Sequence, residues 1–76
     1  MSFSEELRNI RRHSFLSQEA FARELNVSFS SVNRWEGGRS KPNMEAMKSI
    51  KAFCKTHNVD FSNLEREWFS VAKEAM

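Results

Sequence analysis

Cysteine occurs once in this 76-residue chain, at Cys54, so no disulfide can form within it and a reducing cytosol is the expected setting. No apolar run is long enough to cross a membrane, and the first residues hold no apolar signal region. Histidine is scarce too. His13 and His57, even taken with Cys54, are too few and too irregularly spaced to suggest a zinc site. No nucleophile–base–orienter set can be argued from the spacing, so no enzymatic role, cofactor or metal is expected. Strand signals are missing, with no sustained alternation and no Asn-Gly turn. Neither an internal repeat nor a low-complexity tract is present. What remains is an all-α chain, expected to form one domain over residues 1–76.

Excess charge is also small. The formal net charge is +2, although the sequence pI is near 9.0, a balance that neither demands nor excludes nucleic acid. Its distribution says more. Up to Pro42 there are seven basic residues against five acidic, whereas from Asn43 onward there are five of each. Apolar content of 39%, with seven Phe and two Trp, suffices for one compact core. A chain this short buries only about 60–65% of its unfolded surface, so its stability is expected to be modest unless it dimerises.

The stretch Ser17 to Glu36 holds two short helix signals joined by a tight corner. Ser17 can cap the first, and Phe21, Ala22 and Leu25 share one of its faces. Asn26 can take the left-handed conformation that ends a helix. Ser28 can cap again, and Val32 and Trp35 form the buried side of a second helix, Phe29 to Glu36. Ala22 supplies the small side chain that two steeply crossing helices need where their backbones approach.

Three more helices complete the pattern. The first starts at Ser2 or Ser4, with Ser2-x-x-Glu5 at capping-box spacing and Phe3, Leu7 and Ile10 inward. Arg8, Arg11 and Arg12 surround that stripe, and Phe15 and Leu16 are expected to pack in the connection. Gly37-Gly38 ends the third helix through positive φ, and Pro42 favours the start of the fourth. Helix four spans about Asn43 to Thr56, with Met44, Met47, Ile50, Phe53 and Cys54 inward. Asn58 ends it. The last helix, in residues 60–76, is capped by Asp60 or Ser62, with Ser62-x-x-Glu65 at box spacing. Its stripe is Phe61, Leu64, Trp68, Val71 and Ala75.

LSQEAFARELNVSFSSVNRWEGGRSKP resembles the XRE-type helix-turn-helix family of phage repressors and Cro. The matches are Leu16-Ser17-Gln18, Ala22, Val27-Ser28, Val32, Trp35-Glu36, Gly38 and Pro42. The resemblance implies a five-helix, lambda-repressor-like fold whose helix-turn-helix occupies residues 17–36. Its second helix would enter a DNA major groove. The chain departs from the pattern twice: the exit of helix four is about three residues longer, and the final helix outlasts the usual short fifth one.

On that docking geometry Phe29, Ser30, Asn33 and Arg34 point outward, with Ser28 at the helix start. Arginine can bond bidentately to guanine and asparagine to adenine, and a phenyl edge can touch a thymine methyl. The bland alternative for the polar residues is a solvated helix face, and for Phe29 a place in the core. At the position of Gln18 the family has a glutamine that contacts a phosphate. Arg39 and Lys41 are the natural backbone clamps on the loop after helix three. The resemblance also implies an ion pair between Arg11 and Glu36, joining helix one to the end of helix three. Trp35, Met44 and Met47 are expected to be packing residues, and Cys54 a small buried hydrophobe.

The expected function is sequence-specific binding of double-stranded DNA by a small transcriptional regulator, a repressor in the simplest case. It would act as a homodimer on a two-fold symmetric operator, with Phe69 as a candidate dimer contact. One rival is the antitoxin of a toxin–antitoxin pair, which would bring a toxin as partner. Another is a protein-interaction module without DNA binding.

Overall fold

Serine and asparagine caps set where the first four helices begin. The computed structural model describes residues 2–74, with side chains described for residues 2–70, and all its regular structure is helical. The helices are α1 (Phe3–His13), α2 (Gln18–Leu25), α3 (Phe29–Glu36), α4 (Met44–Thr56) and α5 (Ser62–Glu74). Ahead of α1, Ser2 Oγ accepts from Glu5 N at 3.3 Å while Ser2 N donates back to Glu5 Oε1 at 3.2 Å. This reciprocal box satisfies two otherwise unpaired amides, and the bonds from Ser2 hold the Glu5 carboxyl below its usual pKa. Ser17, Ser28 and Asn43 each accept from the third residue beyond, at 3.1, 3.1 and 2.9 Å.

The helix ends follow the same local logic. Asn26 stands at φ 59° and Asn58 at φ 58°, in the left-handed region where a short polar side chain is tolerated. Val27 N then bonds Ala22 O at 3.0 Å, and Val59 N bonds Cys54 O at 2.7 Å. After α3, only Gly38 takes positive φ, at 74°, whereas Gly37 stays at φ −84°. The expected glycine role therefore falls on Gly38 alone. At the head of α5 the expected Ser62 box does not form. Ser62 is already the first helical residue, and its amide donates to Asp60 Oδ1 at 2.9 Å. That bond keeps the Asp60 carboxyl below its usual pKa.

The inward faces meet in one core. Phe3, Leu7 and Ile10 of α1 join Phe21, Ala22 and Leu25 of α2, Val32 and Trp35 of α3, Met47, Ile50, Phe53 and Cys54 of α4, and Leu64 of α5. Phe21 and Phe53 pack edge to face at 5.1 Å between ring centroids, the arrangement that ring quadrupoles favour. Burial raises the Cys54 thiol to about 11, as expected for a small hydrophobe and not a reactive thiolate. α1 packs on α3 and α5, and α2 packs on α3 and α4. Trp68 is half-buried, and its Nε1 donates to Pro42 O at 2.9 Å, tying α5 to the loop that follows α3.

Two expected core residues lie outside the core. Met44, the first residue of α4, is exposed at the rim of an open groove that it shares with Phe61, Trp68 and Phe69. Phe15 is 94% exposed with φ 59°. The α1–α2 turn reverses there through a left-handed residue, which swings the phenyl away from Leu16 and the core. Val71 and Ala75, the end of the predicted stripe, lie outside the residues whose side chains are described.

The left-handed region costs a side chain with a Cβ about 1–2 kcal/mol, and so exposed a ring has little packing to lose. Glycine gives back part of this through its unfolded-state entropy. Phe15→Gly is therefore expected to raise the unfolding free energy by about 0.5–1 kcal/mol in urea melts. A loss of stability would mean that the ring packs on the fold.

Candidate nucleic-acid interface

Glu36 ends α3 and is the one buried charged residue among those described, at 3% exposure. A carboxylate so far from water must be paired and hydrogen-bonded. Arg11 of α1 meets it in a two-pronged contact, Nε to Oε2 at 2.7 Å and Nη2 to Oε1 at 2.9 Å. Arg11 is itself largely buried, at 14% side-chain exposure. The Glu36 bonds raise the guanidinium above its ordinary pKa, outweighing desolvation. Its third nitrogen, Nη1, donates to Leu16 O at 3.0 Å, which holds the α1–α2 turn. Arg8, one turn earlier, donates Nη2 to Glu36 O at 2.9 Å and so satisfies a carbonyl at the end of α3.

Two amides extend this pairing toward the surface. Gln18 at the start of α2 donates Nε2 to Glu36 Oε1 at 3.1 Å. Asn33, one turn back on α3, donates Nδ2 to Gln18 Oε1 at 3.2 Å. Arg39, on the loop after α3, donates Nη2 to Asn33 Oδ1 at 2.7 Å. Every link donates in the same sense, from the guanidinium of Arg39 to the carboxylate of Glu36. A guanidinium can only donate and an ionised carboxylate can only accept, so the charged ends dictate which way both amides face.

The result is an open cleft of about 340 Å³ walled by Arg8, Arg11, Arg12, Gln18, Asn33, Glu36, Gly37 and Arg39. Four guanidiniums against one carboxylate make it strongly cationic, a property suited to an anion. Helical spacing puts Arg8, Arg11 and Arg12 on neighbouring positions of α1. That spacing was the available signal for Arg8 and Arg12, which sequence reasoning placed beside the core stripe without a role.

The other candidates are dispersed over the exposed face of α3 and its flanks. Val32 and Trp35 are buried, while Phe29, at 48% exposure, Ser30 and Arg34 face outward. Ser28 caps α3, and its hydroxyl lies 2.9 Å from that of Ser31. Arg34 has no ion-pair partner among the described residues. With Lys41 it borders a second open cleft, between the α2–α3 corner and the start of α4. Lys41 Nζ also stands 5.7 Å from the centre of the Phe3 ring, a cation–π contact that steadies the loop. The structure thus gathers Arg11, Gln18, Asn33, Glu36 and Arg39 into one network and leaves Ser28, Phe29, Ser30, Arg34 and Lys41 outside it.

Two short helices packed on each other across a tight turn, Ala22 buried on the first and the second anchored on one side and open on the other, define a helix-turn-helix. The family described as "Helix-turn-helix domain" matches residues 2–66, and the chain belongs to that family. Over 53 residues the chain is 42% identical to the HTH-type transcriptional activator BcrR of Enterococcus faecalis. That match covers 70% of this chain and 26% of the relative, so the chain spans about a quarter of that protein's length. No solved structure gives a significant match.

Removing one partner of a buried pair leaves the other charge stranded, at a cost of roughly 3–5 kcal/mol when burial is complete. Glu36→Ala is therefore expected to lower stability by about 3 kcal/mol, more than any other single charge removal in the chain. Thermal melts of an alanine series at the charged positions check this, and an unchanged Tm for Glu36→Ala would end the idea.

Proposed function

We propose that this chain is a non-catalytic, sequence-specific double-stranded DNA-binding module of an XRE-type transcription regulator. The observation that carries the reading is the two-sidedness of α3. Val32 and Trp35 anchor it, and Phe29, Ser30 and Arg34 stand clear beside a cleft of four arginines. In the proposed complex α3 lies in the major groove. Arg34 bonds a guanine edge, Phe29 touches a thymine methyl, and Ser28 and Ser30 complete the contact. Gln18, Arg39 and Lys41 face the phosphates. The relative's printed role is activation, whereas occupying an operator suffices for repression; the groove contact is common to both.

A homodimer fits the same reading, because such domains read two half-sites roughly 34 Å apart. Supporting it is an apolar groove of about 200 Å³ between α4 and α5, bordered by Met44, Met47, Phe61, Trp68 and Phe69. Met44 and Phe69 are exposed there, and a second copy of the chain is the proposed cover.

Selection of bound duplexes from a random pool, followed by titration against salt, tests the DNA reading. Log affinity should fall linearly with log salt, by about 0.9 in slope for each phosphate neutralised. A flat response would favour a protein-interaction module instead. Arg34→Ala should cost about 1–3 kcal/mol at one base position and relax the preference there. A uniform loss across sequences would assign Arg34 to the phosphates. For the dimer, Phe69→Asp should shift sedimentation equilibrium toward monomer and weaken operator binding, and a wild-type protein that stays monomeric on its operator would refute it.

A further inference from the structure

Asn33 carries the residue type that reads adenine, yet both polar atoms of its amide are already engaged. Oδ1 accepts from Arg39 at 2.7 Å, and Nδ2 donates to Gln18 at 3.2 Å. The first is a charge-assisted bond, the stronger kind. The second leads to the buried carboxylate of Glu36, through Gln18 Nε2 at 3.1 Å. Bidentate contact with adenine needs the same oxygen as acceptor and the same nitrogen as donor. One lone pair and one N–H of the amide remain, but their direction is set by bonds that run from a cation to a buried anion, so an adenine would have to accept that orientation or break those bonds. Asn33 is also only half exposed, unlike Phe29, Ser30 and Arg34 on the same helix.

Arg39 presents the opposite case. It is exposed on the loop after α3, and a long guanidinium side chain free in solvent loses substantial rotamer entropy when it is fixed on a phosphate. Its bond to Asn33 holds it in advance against α3 and at the wall of the four-arginine cleft. Only one of its five N–H donors is used in that bond, so the others stay available.

We infer that Asn33 is a positioning residue, whose amide fixes Arg39 for a DNA phosphate, and that base reading on α3 falls to Phe29, Ser30 and Arg34. This rests on the DNA-binding reading above and adds a division of labour within it. Contact of Asn33 with the DNA is then indirect, through the arginine it holds.

The test uses the full chain and a fluorescein-labelled operator duplex selected from a random pool, read by anisotropy across a salt series. Asn33→Ala should reproduce Arg39→Ala. Affinity at about 0.1 M salt should fall roughly fivefold to tenfold, and the log–log salt slope should become shallower by up to about 0.9. The loss should be the same on every single-base variant of the operator. The double variant should bind little worse than Arg39→Ala alone, because the two residues act as one unit. Asn33→Ser serves as a second variant should the alanine chain melt near the assay temperature, with the same outcome expected. If either variant relaxes preference at one base position and keeps the wild-type slope, Asn33 is a base reader and the inference is overturned. If the wild-type chain itself selects no duplex, the DNA reading fails first and takes this assignment with it.

Discussion

A single carboxylate out of reach of water holds the geometry of this molecule. Hydrophobic burial is non-directional, so the core alone would tolerate small rotations of α3 about Val32 and Trp35. Glu36 does not. Its two oxygens are satisfied only when α1 presents Arg11 edge-on and α2 presents Gln18 from its first turn. Three helices are thereby brought to one point, at the end of α3. Well-packed apolar residues often replace a buried ion pair at no loss of stability. The pair is better understood as an orientation device than as a reservoir of stabilising energy.

The outward extension of that pairing has a direction. Arg39, Asn33, Gln18 and Glu36 form a one-way chain of donors, running from a solvent-facing cation to a buried anion. In such a chain each bond polarises the next, and reversing one amide would set donor against donor at the following link. The loop after α3 is thus connected by side chains to the most buried charge among the described residues. Trp68 does the same from the other side, through Pro42 at the far end of the loop.

Much of the fold was legible because it is written in local chemistry. Ser2, Ser17 and Ser28 cap where their residue types say they should, and the apolar stripes bury at helical spacing; Asn43, read as the start of the fourth helix, is its cap instead. The misses were contextual. Phe15 has the composition of a core residue, but the turn needs a left-handed residue there, and that backbone angle sends the ring into solvent. Met44 has an apolar side chain at helical spacing from Met47, but it borders the open groove against α5 and stays exposed there. Ser62-x-x-Glu65 has the right spacing for a box that Asp60 pre-empts by one hydrogen bond. For the candidate site, the exposure of Phe29, Ser30 and Arg34 followed from phase. The partner choice of Asn33 did not, because it depends on which side chains the start of α2 and the loop after α3 bring within 3.2 Å.

Net charge is a poor guide to what this surface can attract. The whole chain carries +2, yet one cleft has four arginines and a single, already paired carboxylate. The α4–α5 segment, with balanced charge, carries the exposed apolar groove instead. Within about a Debye length it is the local field that a polyanion meets. The same division separates the residues by how free they are. Gln18 and Asn33 are set before any partner arrives and contribute little ordering cost on binding. Phe29 is 48% exposed, and Arg34 has no ion-pair partner among the described residues. In a domain this small, fixing the angle of a helix and leaving its outer side chains exposed are separate tasks; Glu36 performs the first, and the phase of α3 about Val32 and Trp35 performs the second.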